Sequence, residues 1–217
     1  MSDDHIIKSD YFKSSIYNIY KPEWVDHLNS LSDRHIEDRK IKDQEIFKNR
    51  NKKFKKDIGT LGHSYHSNNL VSESDFAFFN QYIGETAREI LDEQGYDLQN
   101  HILIVNETWV QEFTLGGHHR THVHPNNHIS GFYYLKCSEN TSIPIFNDPR
   151  PAKIILDLPE KNNTILTNAS PTVVYKPRPG DMYFFNSYLT HEYSFDFGVD
   201  PFRFMHFNIQ AVPRIDV

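Results

Sequence analysis

Apolar and polar positions follow two different periods along the chain. From Pro22 the apolar or aromatic residues Trp24, His27, Leu28 and Leu31 recur at spacings of three and four, which predicts a helix opened by proline. A second helix is predicted where Phe76, Phe79, Ile83, Ala87, Ile90 and Leu91 line one face. Ser72 or Ser74 can cap it, Glu73 and Asp75 suit its first turn, and Gly95 sits where a left-handed stop would fall. Between the two helices, GTLGHSYHSNN (59–69) reads as a loop. From His101 the period shortens. The runs ILIVNETWVQEF, ISGFYYLK, IPIFN, AKIILDL, TVVYK, DMYFFNS, HEYSF and RFMHFNIQAV are short, rich in β-branched and aromatic residues, and separated by Gly, Pro, Asn and Asp. Ser14–Tyr20 is an earlier strand candidate. The pattern predicts one mainly β domain of the jelly-roll kind. Residues 1–100 form a helical support on one outer face, and 101–217 form the core.

Composition narrows the class. The 217 residues include 14% aromatics, 16 of them Phe and 12 Tyr, so the core is expected to be built on rings. The single cysteine, Cys137, excludes an internal disulfide and a multi-cysteine zinc site. No apolar run is long enough for a transmembrane helix and the polar N-terminus is unlike a signal peptide, so a soluble cytoplasmic protein is expected. A net charge of -6 argues against general nucleic-acid binding. Residues 39–56 run against that balance, with nine Lys/Arg against Asp43 and Glu45. They are expected to be a basic insert in the support region, a solvated helix or a mobile loop dispensable for turnover, the alternative being a docking patch for an acidic partner or a polynucleotide.

The 13 histidines carry the chemistry. Five lie within GGHHRTHVHPNNH (116–128). On a strand, His122 and His124 would point to one face and could share a metal ion. The same residues could also be polar loop or satisfied core positions. His191 follows the aromatic run DMYFFN, and Arg203 stands twelve residues later inside an apolar strand. A buried arginine needs an anion, so Arg203 is either a carboxylate receptor or an edge residue facing water.

H-x-H, a distal His and a following Arg, each on its own β segment, resemble the iron(II)/2-oxoglutarate oxygenases of the double-stranded β-helix (cupin-like) fold. HVHPNNHISGFYYL, IFNDPRP, RPGDMYFFNSYLTHEY and RFMHFNIQ are similar to the ordered motifs of one such oxygenase family of bacteria and phages. HSNNL and W-x-Q extend the likeness, which covers roughly residues 60–212. The resemblance implies Fe(II) held by His122, His124 and His191, with 2-oxoglutarate and O2 as cosubstrates and succinate and CO2 as products. It implies that Arg203 pairs the distal carboxylate of 2-oxoglutarate, helped by Tyr134 and Gln111. It also implies hydroxylation of a substrate, of which peptidyl proline is one candidate through the prolyl hydroxylases. The sequence departs from the pattern where His124 replaces the usual carboxylate and where the serine expected two residues after the arginine is Met205.

Asp148 could supply the missing carboxylate, and Glu192 or Asp148 could hold a ligand imidazole from behind. Tyr134 could equally be core packing. Two other classes remain open on the residues alone: a three-histidine cupin-like metalloenzyme without 2-oxoglutarate, and a non-enzymatic β-sandwich binding module. No membrane partner is expected, and the oligomeric state is open.

Overall fold

The computed structural model describes residues 7–156 and 158–214. Its ten strands are β1 (Ile16–Tyr20), β2 (Ser64–His66), β3 (His101–Phe113), β4 (His119–His122), β5 (Ile129–Lys136), β6 (Pro144–Asn147), β7 (Thr172–Val174), β8 (Asp181–Asn186), β9 (His191–Tyr193) and β10 (Phe202–Pro213). Two helices lie between β1 and β3 in the chain, α1 (Val25–Phe54) before β2 and α2 (Ala77–Glu93) after it. The strands form a six-stranded sheet ordered β1-β8-β5-β10-β3-β2 and a four-stranded sheet ordered β4-β9-β6-β7. The paired strands run antiparallel. This is the mainly β double-stranded β-helix architecture.

Strand alternation sorts the large sheet into two cores. On β10, Met205, Phe207 and Ile209 face the helices, while Phe202 and Phe204 face the small sheet. Likewise Tyr133 and Leu135 of β5 join the helix side, and Phe132 and Tyr134 the inter-sheet side. Being covered on both faces, β5, β8 and most of β10 are buried at successive positions rather than at alternate ones. The predicted face of α2 is all buried: Phe79, Ile83, Ala87, Ile90 and Leu91. Each such side chain contributes roughly 1.5–3 kcal/mol when large. Gly131 is required on β5, because a Cβ there would collide with the Phe207 ring and the Tyr183 carbonyl oxygen.

Two expectations change and a third is narrowed. The basic run, read as a solvated helix or a mobile loop, is largely the second half of α1, a 30-residue helix that continues the inward row from Leu28 and Ile36 and leaves most of the run exposed. There the row turns polar and finds partners. Buried Asp43 meets Arg39 at 2.8 Å and His63 at 2.8 Å, and Lys40 reaches Glu112 at 3.1 Å. The expected strand AKIILDL, of which residue 157 lies outside the described residues, is replaced at its start by a short 3-10 helix, Pro151–Ile155, and β6 and β7 pair with each other without it. The expected loop 59–69 contains β2, three residues whose pairing with β3 supplies what local propensity does not. Among the described residues, no helix is long and apolar enough to cross a membrane.

Candidate metal centre

Strand pairing assembles the site. His122 on β4 and His191 on β9 are direct register partners, and their ring centroids are 4.4 Å apart. His124 lies beyond the end of β4, so the pair H-x-H does not share one strand as expected. Its backbone N–H donates to the Ser187 carbonyl at 3.0 Å, which returns its ring to the cluster. Ring nitrogens of His122, His124 and His191 all lie within 4.8 Å of one another.

Backbone carbonyls set two of the tautomers. His191 Nδ1 donates to Leu189 O at 2.8 Å and His122 Nδ1 donates to Arg120 O at 2.7 Å. Each ring therefore carries its proton on Nδ1 and turns the Nε2 lone pair to the cluster, as a ligating imidazole requires. This is the support that Glu192 and Asp148 were expected to give. Glu192 is adjacent to His191 on a strand and so faces away, accepting a bond from the Thr121 hydroxyl. Asp148 is no ligand either: it pairs with Arg150 at 2.7 Å and Lys153 at 2.9 Å, which hold its carboxyl well below the usual range.

The surroundings are dry and aromatic. Phe132, Phe146 and Phe185 pack around His191, with ring centroids 4.8–5.8 Å from it. Burial, then neighbouring imidazoles, pulls His124 down to about 3; burial, opposed by the Leu189 carbonyl, takes His191 to about 4. Both rings are neutral at pH 7. His66 and His119, stacked beside the cluster, are lowered by burial to about 4 and about 3.

These shifts have a consequence for the metal-free protein. Below about pH 6.5 the unfolded chain protonates these histidines while the folded chain does not, so unfolding takes up protons. Stability of metal-stripped protein is expected to fall as pH drops from 6.5 toward 4, by up to about 1.4 kcal/mol per pH unit for each histidine. Urea denaturation midpoints that stay level between pH 7 and pH 5 would show the histidines to be free to charge in the fold.

The three expected cosubstrate residues divide. Tyr134 is fully buried between the sheets, its hydroxyl 2.8 Å from that of Tyr193. Gln111 also faces inward. Its Nε2 donates to Ser64 Oγ at 2.6 Å and to the His119 ring, while its buried Oε1 has no partner. Arg203 does not face the barrel interior. It opens onto α1, with Nη2 2.7 Å and Nε 2.8 Å from Glu112 Oε2, and Nη1 2.6 Å from Asp33. The reason is alternation: Phe202, Phe204 and His206 take the inward face of β10, so 203 takes the outward one. Arg203 is the only buried arginine or lysine among the described residues.

His206 was not singled out from the sequence. It projects inward from β10 with its Nε2 3.1 Å from that of His124, and it stacks on Trp109 at 4.2 Å. The signal was available, since F-x-F-x-H places its ring on the face of Phe202 and Phe204. Beside His124 opens a cavity of about 460 Å³, lined by Asn69, Asn106, Glu107, Asn127, Asn208 and Gln210.

Comparison with known proteins supplies context for this cluster. Residues 107–200 match the family model of the 2OG-Fe(II) oxygenases. No curated protein matches the sequence. Among solved structures, AviO1 from Streptomyces viridochromogenes superposes with a TM-score of 0.57 at 10% identity, covering 93% of each chain. A Pseudomonas putida prolyl-4-hydroxylase gives 0.52 at 11%, covering 91% of this chain and 93% of that one. The chain spans 62% of the length of a 2OG-Fe(II) oxygenase family oxidoreductase from Burkholderia pseudomallei, at 11% identity, 70% coverage of this chain and a TM-score of 0.46.

Proposed function

We infer that this chain, whose residues 107–200 match the family model of the 2OG-Fe(II) oxygenases, is an enzyme in which His122, His124 and His191 hold the Fe(II) ion for oxidation of a bound substrate. The observation that carries the assignment is the convergence of three imidazoles, two with their Nδ1 atoms hydrogen-bonded to backbone carbonyls. Such a donor set suits a divalent first-row metal. Enzymes of the family use Fe(II), 2-oxoglutarate and O2, and the bound ion supplies their oxidising chemistry.

The chain's own residues orient and exclude. Phe132, Phe146 and Phe185 keep water from His191. Imidazole in place of a carboxylate leaves the site one unit more positive, which favours an anionic co-ligand. Tyr134 and Gln111 are the inward polar groups offered to a cosubstrate carboxylate, without an arginine beside them. The cavity at His124 is the approach for substrate, whose oxidation at carbon, as in peptidyl proline, is one form of the reaction.

A second reading, a three-histidine metalloenzyme that does not use 2-oxoglutarate, is favoured by one observation: Arg203, the only buried arginine or lysine among the described residues, points out of the barrel. Anaerobic titration separates the two. Fe(II)-loaded protein is expected to bind 2-oxoglutarate with a new charge-transfer absorption and to release succinate in air. Fe(II) binding without either response selects the second reading, and no Fe(II) binding at micromolar concentration overturns both.

A further inference from the structure

We propose that His206 is a fourth imidazole ligand of this metal centre, an inference that rests on the centre formed by His122, His124 and His191. The ring is buried at 3% exposure and clamped against Trp109, with centroids 4.2 Å apart and planes 16° apart. Phe132 closes its other side at 5.2 Å. So held, its Nε2 points into the cluster, 3.1 Å from His124 Nε2, which in turn lies 3.2 Å from His191 Nε2.

Those separations carry the argument. Three imidazole Nε2 atoms crowd together, and His191 presents a lone pair because its proton is on Nδ1. If His206 donated an Nε2 proton to His124, it would occupy the lone pair that His124 needs for the metal. An ion resolves the conflict. Imidazole nitrogens about 2.1 Å from one ion and at right angles lie about 3 Å apart, close to both separations seen here. His206 stands just outside the group of three and touches it at His124, so coordination requires its nitrogen to be drawn inward. Its Nδ1 is buried without a partner, so no hydrogen bond on that side opposes the movement, and the same movement has to bring the Nδ1 proton of the ligating tautomer to an acceptor.

The consequence is chemical. Four imidazoles leave two positions on a six-coordinate ion instead of three. A keto acid bound through two oxygens would fill both, unless one histidine gives way.

The test uses Co(II) as probe on the full chain, with wild type, His206→Phe and His206→Gln compared. His206→Phe keeps a ring on Trp109. A crystal structure of the Co(II)-loaded wild type is expected to show His206 Nε2 within about 2.2 Å of the ion. Co(II) affinity is expected to fall about 100-fold in both variants, at or beyond the loss typical for a supporting partner. An ion held by three histidines, with His206 Nε2 beyond 3 Å and affinity unchanged in the variants, overturns the proposal and leaves the three-histidine centre standing. A wild type that binds no Co(II) overturns both. Should neither variant fold, the Co(II)-loaded wild-type structure decides the matter by itself.

Discussion

His191→Ala is expected to abolish metal binding. The side chain is wholly buried, its Nδ1 proton is fixed on the Leu189 carbonyl, and its Nε2 faces His124. The groups packed around it are His122 and His124, already members of the centre, and the phenyl rings of Phe132, Phe146 and Phe185, so nothing fills the place its Nε2 leaves. The loss of Fe(II) or Mn(II) affinity should exceed about 100-fold, and turnover should vanish with it. Alanine also leaves a cavity in a packed site, costing about 2–4 kcal/mol by analogy with other large-to-small core changes. His122→Ala separates the two effects, since His122 is less buried yet stands in the same group. Calorimetric titration under anaerobic conditions is the measurement. If His122→Ala and His191→Ala both retain wild-type metal affinity, the assigned centre is wrong.

The second large effect concerns Arg203, and it is structural. Glu112 is 3% exposed and receives two nitrogens of the Arg203 guanidinium as well as Lys40. Asp33, the other partner, is largely exposed, and the guanidinium holds its carboxyl below the ordinary range. Glu112→Leu would strand a buried arginine, at a cost of about 3–5 kcal/mol. In a chain of this size that is a fall of about 6–20 °C in Tm. Adding Arg203→Met should recover most of it, since a buried pair replaced by apolar groups of similar volume is often neutral. Metal affinity should be unchanged throughout. The network then has no part in cosubstrate binding, and Arg203→Ala should leave the 2-oxoglutarate affinity of metal-loaded protein as it was. A weakened 2-oxoglutarate affinity at full metal content would show that Arg203 turns inward in solution.

Arg203 also shows where sequence reasoning stops. Spacing places an arginine on the strand after the distal histidine, but one residue of register decides which face it takes. The face was recoverable from Phe202, Phe204 and His206, whose alternation puts 203 on the helix side. Strands covered on both faces hid that alternation, because the central positions of β5 and β8 are buried on both faces and carry apolar or aromatic residues in succession. His122, His124 and His191 were legible because chemistry-bearing residues stood out of those runs. The backbone carbonyls that set their tautomers were not, since any residue at 120 or 189 offers the same oxygen. The sequence leaves the α1 extension open between helix and loop for a related reason. Its inward row changes from Leu28 and Ile36 to Arg39, Lys40 and Asp43, and only the tertiary partners His63 and Glu112 make that row a packed face.

The place of β10 in the large sheet has a bearing on how the molecule is made. It lies between β5 and β3, yet it follows every other strand in the chain. Until it emerges, the facing edges of β5 and β3 are unpaired, and Tyr133, Phe132 and Val110 lack their cover. The pairing of β3 with β10 also closes a loop of about a hundred residues, a slow step for any chain. Synthesis therefore passes through a long interval in which two half-sheets wait with sticky margins, and refolding at high concentration competes with association between molecules. His206 arrives with the same strand, so the surroundings of the metal are completed only at the end of folding.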